Sequence, residues 1–177
     1  FLENELRLRV NEGKSAVASP TKRKFLGYSF YYKKGTYRLR VHPKSLNRLK
    51  DKVREVTNRN VSMNFETRLK KLIEKTRGWV NYFKLADMSK SLKEMDGWIR
   101  RRLRACIWKT WKKIRTRFTS LNKLGIDRNK AWEFANTRKG YWRISNSPIM
   151  QRSITNERLE KRGYVSMSTM YKKVILA

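Results

Sequence analysis

The chain has 177 residues, with 45 Lys and Arg against 14 Asp and Glu, so its formal net charge at pH 7 is +31. Self-repulsion of that size opposes a compact state, so a polyanion is the expected partner: nucleic acid first, an anionic membrane surface second. At 39% apolar and 12% aromatic residues it is not a disordered basic arm, and one Cys with one His excludes a disulfide framework and a four-ligand zinc site.

No apolar run approaches the roughly 18 residues of a membrane span. Phe1-Leu-Glu-Asn-Glu has neither an initiator Met nor the apolar core of a signal peptide, which points to a fragment or a processed chain. The lone Cys106 suits a reducing compartment.

Residues 1–43 differ from the rest. Phe1, Leu2, Leu6 and Leu8 read as the end of a helix, and Val10, Ala16 and Val17 as a following strand. Beyond Pro20, a strand carrying Phe25, Leu26, Tyr28 and Phe30 leads to a turn at Lys34-Gly35 and a second strand. A hairpin alone buries too little to stand in water, so it reads as the trailing edge of a larger α/β unit.

His42-Pro43-Lys44-Ser45 marks a boundary, with Pro in a first helical turn and Ser45 as cap. Leu46, Leu49, Val53 and Val56 share one helical face. Asn64 is expected to cap a second helix through Phe65, Leu69, Leu72, Ile73, Trp79, Val80 and Phe83. After a short turn, with Asp87 or Ser89 as cap, a third stripe runs through Met88, Leu92, Met95, Ile99, Leu103, Cys106 and Ile114. Three helices joined by short turns predict a small bundle over residues 44–118. Beyond Phe118 the helices shorten. One ends at Leu124-Gly125, and Asp127 caps the next. Residues 136–148 read as a loop, with Asn146 capping a helix near Pro148. Thr155 starts another that Gly163 stops, and Ser166 begins the last, ending at Lys173.

Opposite the third stripe lie Lys90, Lys93, Arg100, Arg101, Arg104, Lys112 and Arg115, with Trp108 and Trp111 on the same side. A charge run is ordinarily a solvated face. Aromatic rings interleaved with Arg also suit unpaired bases and RNA loops. Arg138, Lys139, Tyr141, Trp142 and Arg143 form a second dense group, read either as a plug for a small domain or as a clamp on phosphates. Catalysis finds little support: the acids are scattered beside Lys or Arg, no paired carboxylates or Gly-rich phosphate loop occur, and Cys106 sits on the apolar stripe.

With these residues in view, the sequence resembles a known family. "RVNEGKSAVASPTKRKFLGYSF" is similar to the last blocks of a reverse transcriptase palm, with Lys14-Ser15 following the catalytic strands and Phe25, Leu26, Gly27 and Tyr28 as the primer grip. Gly78-Trp79-Val80-Asn81-Tyr82-Phe83 and Trp98-Ile99-Arg100-Arg101-Arg102-Leu103-Arg104 resemble the maturase, or X, domain of bacterial group II intron-encoded reverse transcriptases. "ANTRKGYWRISNSPI" and "TNERLEKRGYVSM" look like the C-terminal stretch of bacterial members.

The resemblance implies a mainly α fold: a β-hairpin remnant of the palm (1–43), a three-helix thumb/maturase bundle (44–118) and a DNA-binding region of short helices (119–177). It implies binding of intron RNA to promote splicing, and of template–primer and target DNA during retrohoming. The catalytic Tyr-Ala-Asp-Asp would lie upstream of Phe1, so the chain is expected not to polymerise alone. Magnesium is expected for the parent polymerase and no cofactor for this fragment, which also lacks a His-Asn-His endonuclease region. Expected nucleic-acid contacts are Lys14, Lys90, Lys93, Arg100, Arg101, Arg104, Trp108, Trp111, Lys112, Arg115, Arg138, Lys139, Tyr141 and Arg143. Other implied partners are the fingers and palm of the parent chain, with a homodimer left open, in the bacterial cytoplasm. The alternative is a free-standing basic RNA-binding splicing factor. A membrane-surface protein is disfavoured, because the third stripe is regular enough to be a bundle core.

Overall fold

The computed structural model describes residues 4–7, 9, 11 and 18–176. The helix end and strand expected before Pro20 fall largely outside these residues, as do Lys14 and Ser15. The described chain is mainly helical, with a small antiparallel sheet at its start. No helix among the described residues is long and apolar enough to cross a membrane.

The sheet has three strands, β1 (Lys24–Phe25), β2 (Tyr28–Lys33) and β3 (Thr36–Val41), in that order. The sequence predicted one turn here and the structure has two. Phe25 pairs with Tyr28 across Leu26-Gly27, and Lys33 pairs with Thr36 across Lys34-Gly35. Both central residues of each turn have positive φ, the geometry that matches the twist of a two-residue hairpin. Leu26, at φ +49°, pays the steric penalty a side chain meets there. Register places Tyr28 and Val41, Phe30 and Leu39, and Tyr32 and Tyr37 on one face, while Arg40 and Arg38 share the other with Ser29 and Tyr31.

Three long helices follow: α1 (Pro43–Val56), α2 (Phe65–Tyr82) and α3 (Ser89–Thr110). Their stripes are buried as the periodicity predicts, with Leu49, Val53, Leu72, Val80, Leu92, Ile99 and Leu103 almost wholly removed from water. His42, not Ser45, caps α1: its Nδ1 accepts the Lys44 N–H, leaving the Ser45 hydroxyl to donate to the Gly27 carbonyl. Asn64 caps α2 as expected. Asp87 and Ser89 do not cap α3. Asp87 instead accepts from the Tyr31 hydroxyl (2.6 Å) and from Arg38, and its N–H donates to the Leu39 carbonyl, which fastens the sheet to the bundle.

α3 ends earlier than predicted. The chain leaves the helix at Trp111, whose ring meets Trp108 edge-on at 5.6 Å, and Arg117 Nε donates to the Trp111 carbonyl. That bond satisfies an acceptor the helix no longer uses. Ile114, expected on the α3 stripe, is exposed and opens α4 (Ile114–Lys123). The boundary expected after Phe118 therefore falls inside a helix. Short helices complete the chain: α5 (Arg128–Ala135), α6 (Tyr141–Ile144), α7 (Pro148–Ser153), α8 (Asn156–Lys161) and α9 (Met167–Leu176). Asp127 and Thr155 cap as predicted, whereas Ser147 replaces Asn146 as the α7 cap. α6 forms within what the sequence read as a loop.

The core is continuous from Val41 to Tyr171. α9 packs on both α2 and α3. Asp96, 2% exposed on α3, accepts from the Tyr164 hydroxyl and from the backbone N–H groups of Met167 (2.7 Å) and Ser168 (3.0 Å). A carboxylate from the middle of the bundle thus caps the last helix.

Candidate nucleic-acid interface

The basic face predicted for α3 is divided by the fold. Residues 103–108 are buried, with the α7–α8 junction packed on the side of Arg104, while Arg101, Arg102 and Lys109 stay half-exposed. Arg104 is 8% exposed and donates to the Ile154 carbonyl (2.8 Å) and to Asn156 Oδ1 (3.1 Å). Burial, with Arg100 adding repulsion, lowers its pKa. Trp108 is 1% exposed, a core residue with the Arg117 guanidinium over its ring. Trp111 packs against the core. Arg104 and Trp108 are thereby corrected from a solvated binding face to structural positions, whereas Trp111 is only half-buried. Lys90 and Lys93 lie exposed near the start of α3, and Lys112 and Arg115 at the α3–α4 turn.

Another edge of α3 brings cations and rings together. Arg54 from α1 and Arg102 from α3 both lie over Trp98, at 5.7 and 5.2 Å. Arg101 stacks on Trp142 of α6 at 3.8 Å and donates to its carbonyl. Arg59, from the α1–α2 connection, and Lys109 both lie over Tyr141, at 5.3 and 4.9 Å. Arg102 Nε also donates to Thr57 Oγ1, tying α3 to the end of α1. The result is a band of five cations on three aromatic rings, each contact of the kind that favours cation over π-face. Of these residues the sequence reading named only Arg101 and Tyr141 as contacts. Arg54, Arg59, Arg102 and Lys109 come from elements whose meeting no local pattern reveals. Arg138, Lys139 and Arg143 are exposed around α6.

The band continues into a polar cleft of about 640 Å³ lined by Trp98, Arg100, Arg101 and Arg104 on α3 and by Gln151, Asn156 and the acid Glu157 opposite. Arg101 Nε is buried without a hydrogen-bond partner, while its guanidinium Nη2 donates to the Trp142 carbonyl.

A second basic groove, of about 1270 Å³, lies beside the Leu26-Gly27 turn. Lys44, Arg48 and Lys52 repeat every four residues along α1 and line it with Lys24, while Trp79 and Phe83 contribute aromatic surface. The turn is clamped from both sides. The Gly27 carbonyl accepts from the His42 N–H and the Ser45 hydroxyl, and the Leu26 carbonyl accepts from the Tyr82 hydroxyl. The Tyr28 hydroxyl donates to the Tyr82 carbonyl, and its ring packs on Phe83. A Cβ on Gly27 would come within 3.0 Å of Phe83 Cζ, so only glycine permits this approach at φ +87°. Phe25 and Leu26 project from the turn, 66% and 65% exposed.

No three His, Cys, Asp or Glu side chains among the described residues converge to hold a metal. Cys106 is buried, which raises its thiol pKa, and its Sγ–H donates to the Thr57 carbonyl.

Residues 46–125 match the family model for the group II intron, maturase-specific domain. A search of curated proteins finds no match. The matched span covers most of α1, all of α2 and α3 with the rings and cations of the band that lie on them, and α4. The chain therefore carries a group II intron maturase-specific domain where the thumb/maturase region was expected, and its function is of the maturase type, in group II intron splicing.

Proposed function

We propose that the chain binds the folded RNA of a group II intron along the cation–aromatic band of α3 and steadies the fold in which that RNA splices. The band carries this reading. Five cations held on three rings present charge to phosphates and π-faces to unpaired bases on one surface. The adjoining cleft, with Arg100 and Arg101 on its α3 wall, seats a phosphate.

The clamped turn at Phe25–Tyr28 acts in the same reading as the primer grip of a reverse transcriptase. The Lys44-Arg48-Lys52 groove beside it takes the template–primer backbone, and the helices after residue 118 take target DNA during retrohoming. The chemistry of copying belongs to the palm and fingers of a parent chain.

Filter binding to a structured group II intron RNA, with tRNA and duplex DNA as competitors, tests the reading. Binding is expected to survive excess tRNA. Arg59→Glu with Lys109→Glu is expected to weaken it about tenfold or more with melting unchanged, since each lost phosphate contact removes counterion release. Arg104→Ala is expected instead to lower the melting temperature. Equal displacement by all three nucleic acids would reject selective binding of intron RNA along the band and leave only generic charge-driven affinity.

A further inference from the structure

The break in α3 at Trp111 creates a cavity of about 540 Å³ between the start of α2, the end of α3, α4 and the α7–α8 junction. Phe65 and Trp111 bring two aromatic rings to it, and Ile107, Leu124 and Ile154 make the rest of its interior apolar. Lys123, Lys161 and Arg162 line it as well and are exposed. Among the described residues no Asp or Glu lines it. Arg158 is committed to the wall, donating to the Leu124 and Ser153 carbonyls. Arg162 already lies 5.1 Å over the Phe65 ring.

This lining specifies its occupant by charge. An apolar peptide or a small apolar molecule would leave three cations facing nothing of opposite sign. The matching ligand is flat and apolar in one part and anionic immediately beside it. A nucleobase swung out of a strand, with a phosphate on either side, has that form. We propose that the cavity receives one unpaired base of RNA, stacked against Trp111 and Phe65, with its flanking phosphates on Lys123 and Lys161. Ser120, on the cavity wall, supplies a hydroxyl for the edge of the base. The inference rests on the RNA-binding reading above and gives it a site of single-base recognition, apart from the band.

Two RNA hairpins of equal length test it, one fully paired and one carrying a single bulged 2-aminopurine. The wild-type chain is expected to bind the bulged hairpin about tenfold more tightly, as one base–aromatic stack predicts, and to change the emission of the 2-aminopurine. Ser120→Phe fills the cavity and is expected to abolish the preference while leaving affinity for the paired hairpin unchanged. Should that variant fail to fold, the wild-type comparison and the fluorescence decide. Equal affinity for the two hairpins with unchanged emission overturns the cavity proposal alone. Failure to bind either hairpin overturns the RNA-binding reading with it.

Discussion

His42 shows how much one residue can hold. Its ring Nδ1 accepts from the Lys44 N–H at the start of α1, while its backbone N–H donates to the Gly27 carbonyl of the clamped turn. Only the neutral ring can accept. Burial, together with Lys24, Lys44 and Arg40, lowers its pKa below the ordinary 6.5. A lowered folded pKa means that the native state binds fewer protons than the unfolded state. The contribution is therefore complete above about pH 6.5 and is lost as the pH falls through the folded value. His42 is the single His of the chain, so few other groups obscure this window. Melting followed from pH 7.5 to 5 is expected to show a decline in the wild type that is absent in His42→Ser, which keeps a capping oxygen. His42→Ala is expected to cost about 1 kcal/mol at pH 7.5, the usual loss for a removed cap. An identical decline in all three proteins would dissociate the cap from the pH response.

Among the elements, α1 and α2 were legible because their information is local. Stripes at spacings of three and four, Asn64 before Phe65, and Pro43 in a first turn are each read within a few residues. α3 was legible only in part, since its second face is decided by chain far away. Arg104 meets Ile154 and Asn156 some 50 residues on, and nothing in its heptad distinguishes it from Arg101. Asp96 is the extreme case. It caps α9 across 71 residues, on a face where an acid would be read as ordinary surface charge. Its three accepted hydrogen bonds replace the solvation lost on burial. Removing it leaves the Met167 and Ser168 N–H groups and the Tyr164 hydroxyl without that acceptor. Asp96→Ala is therefore expected to destabilise by about 3 kcal/mol. Amide exchange is expected to accelerate first in α9, before the interior of α2. Uniform acceleration throughout the chain would mean that the cap holds the whole core rather than one helix. The cation–aromatic band was illegible for the same reason as Arg104: α1, α3, α6 and the α1–α2 connection each contribute a little, and only packing assembles them.

At the scale of the whole molecule, charge sets two opposing responses to salt. Among the described residues the ion pairs are Arg38–Asp87, Arg54–Asp51 and Lys75–Glu55, all with at least one exposed partner. Exposed pairs of this kind contribute little, and they offset little of a net charge of +31. The folded state concentrates that charge in a smaller volume than the unfolded chain does, so screening favours folding. The melting temperature is therefore expected to rise by several degrees between about 20 and 500 mM NaCl. Affinity for RNA must run the other way, because bound phosphates release counterions into a solution that already holds more of them. If the five cations of the band each neutralise one phosphate, the slope of log affinity against log salt is about −4, a loss on the order of 10²-fold between 50 and 200 mM. Calorimetry and filter binding on one protein preparation over one salt series measure both. A melting temperature that falls with salt would show that the few ion pairs outweigh the self-repulsion. An RNA slope much steeper than −4 would place further cations, beginning with the Lys44-Arg48-Lys52 row, on the same bound strand.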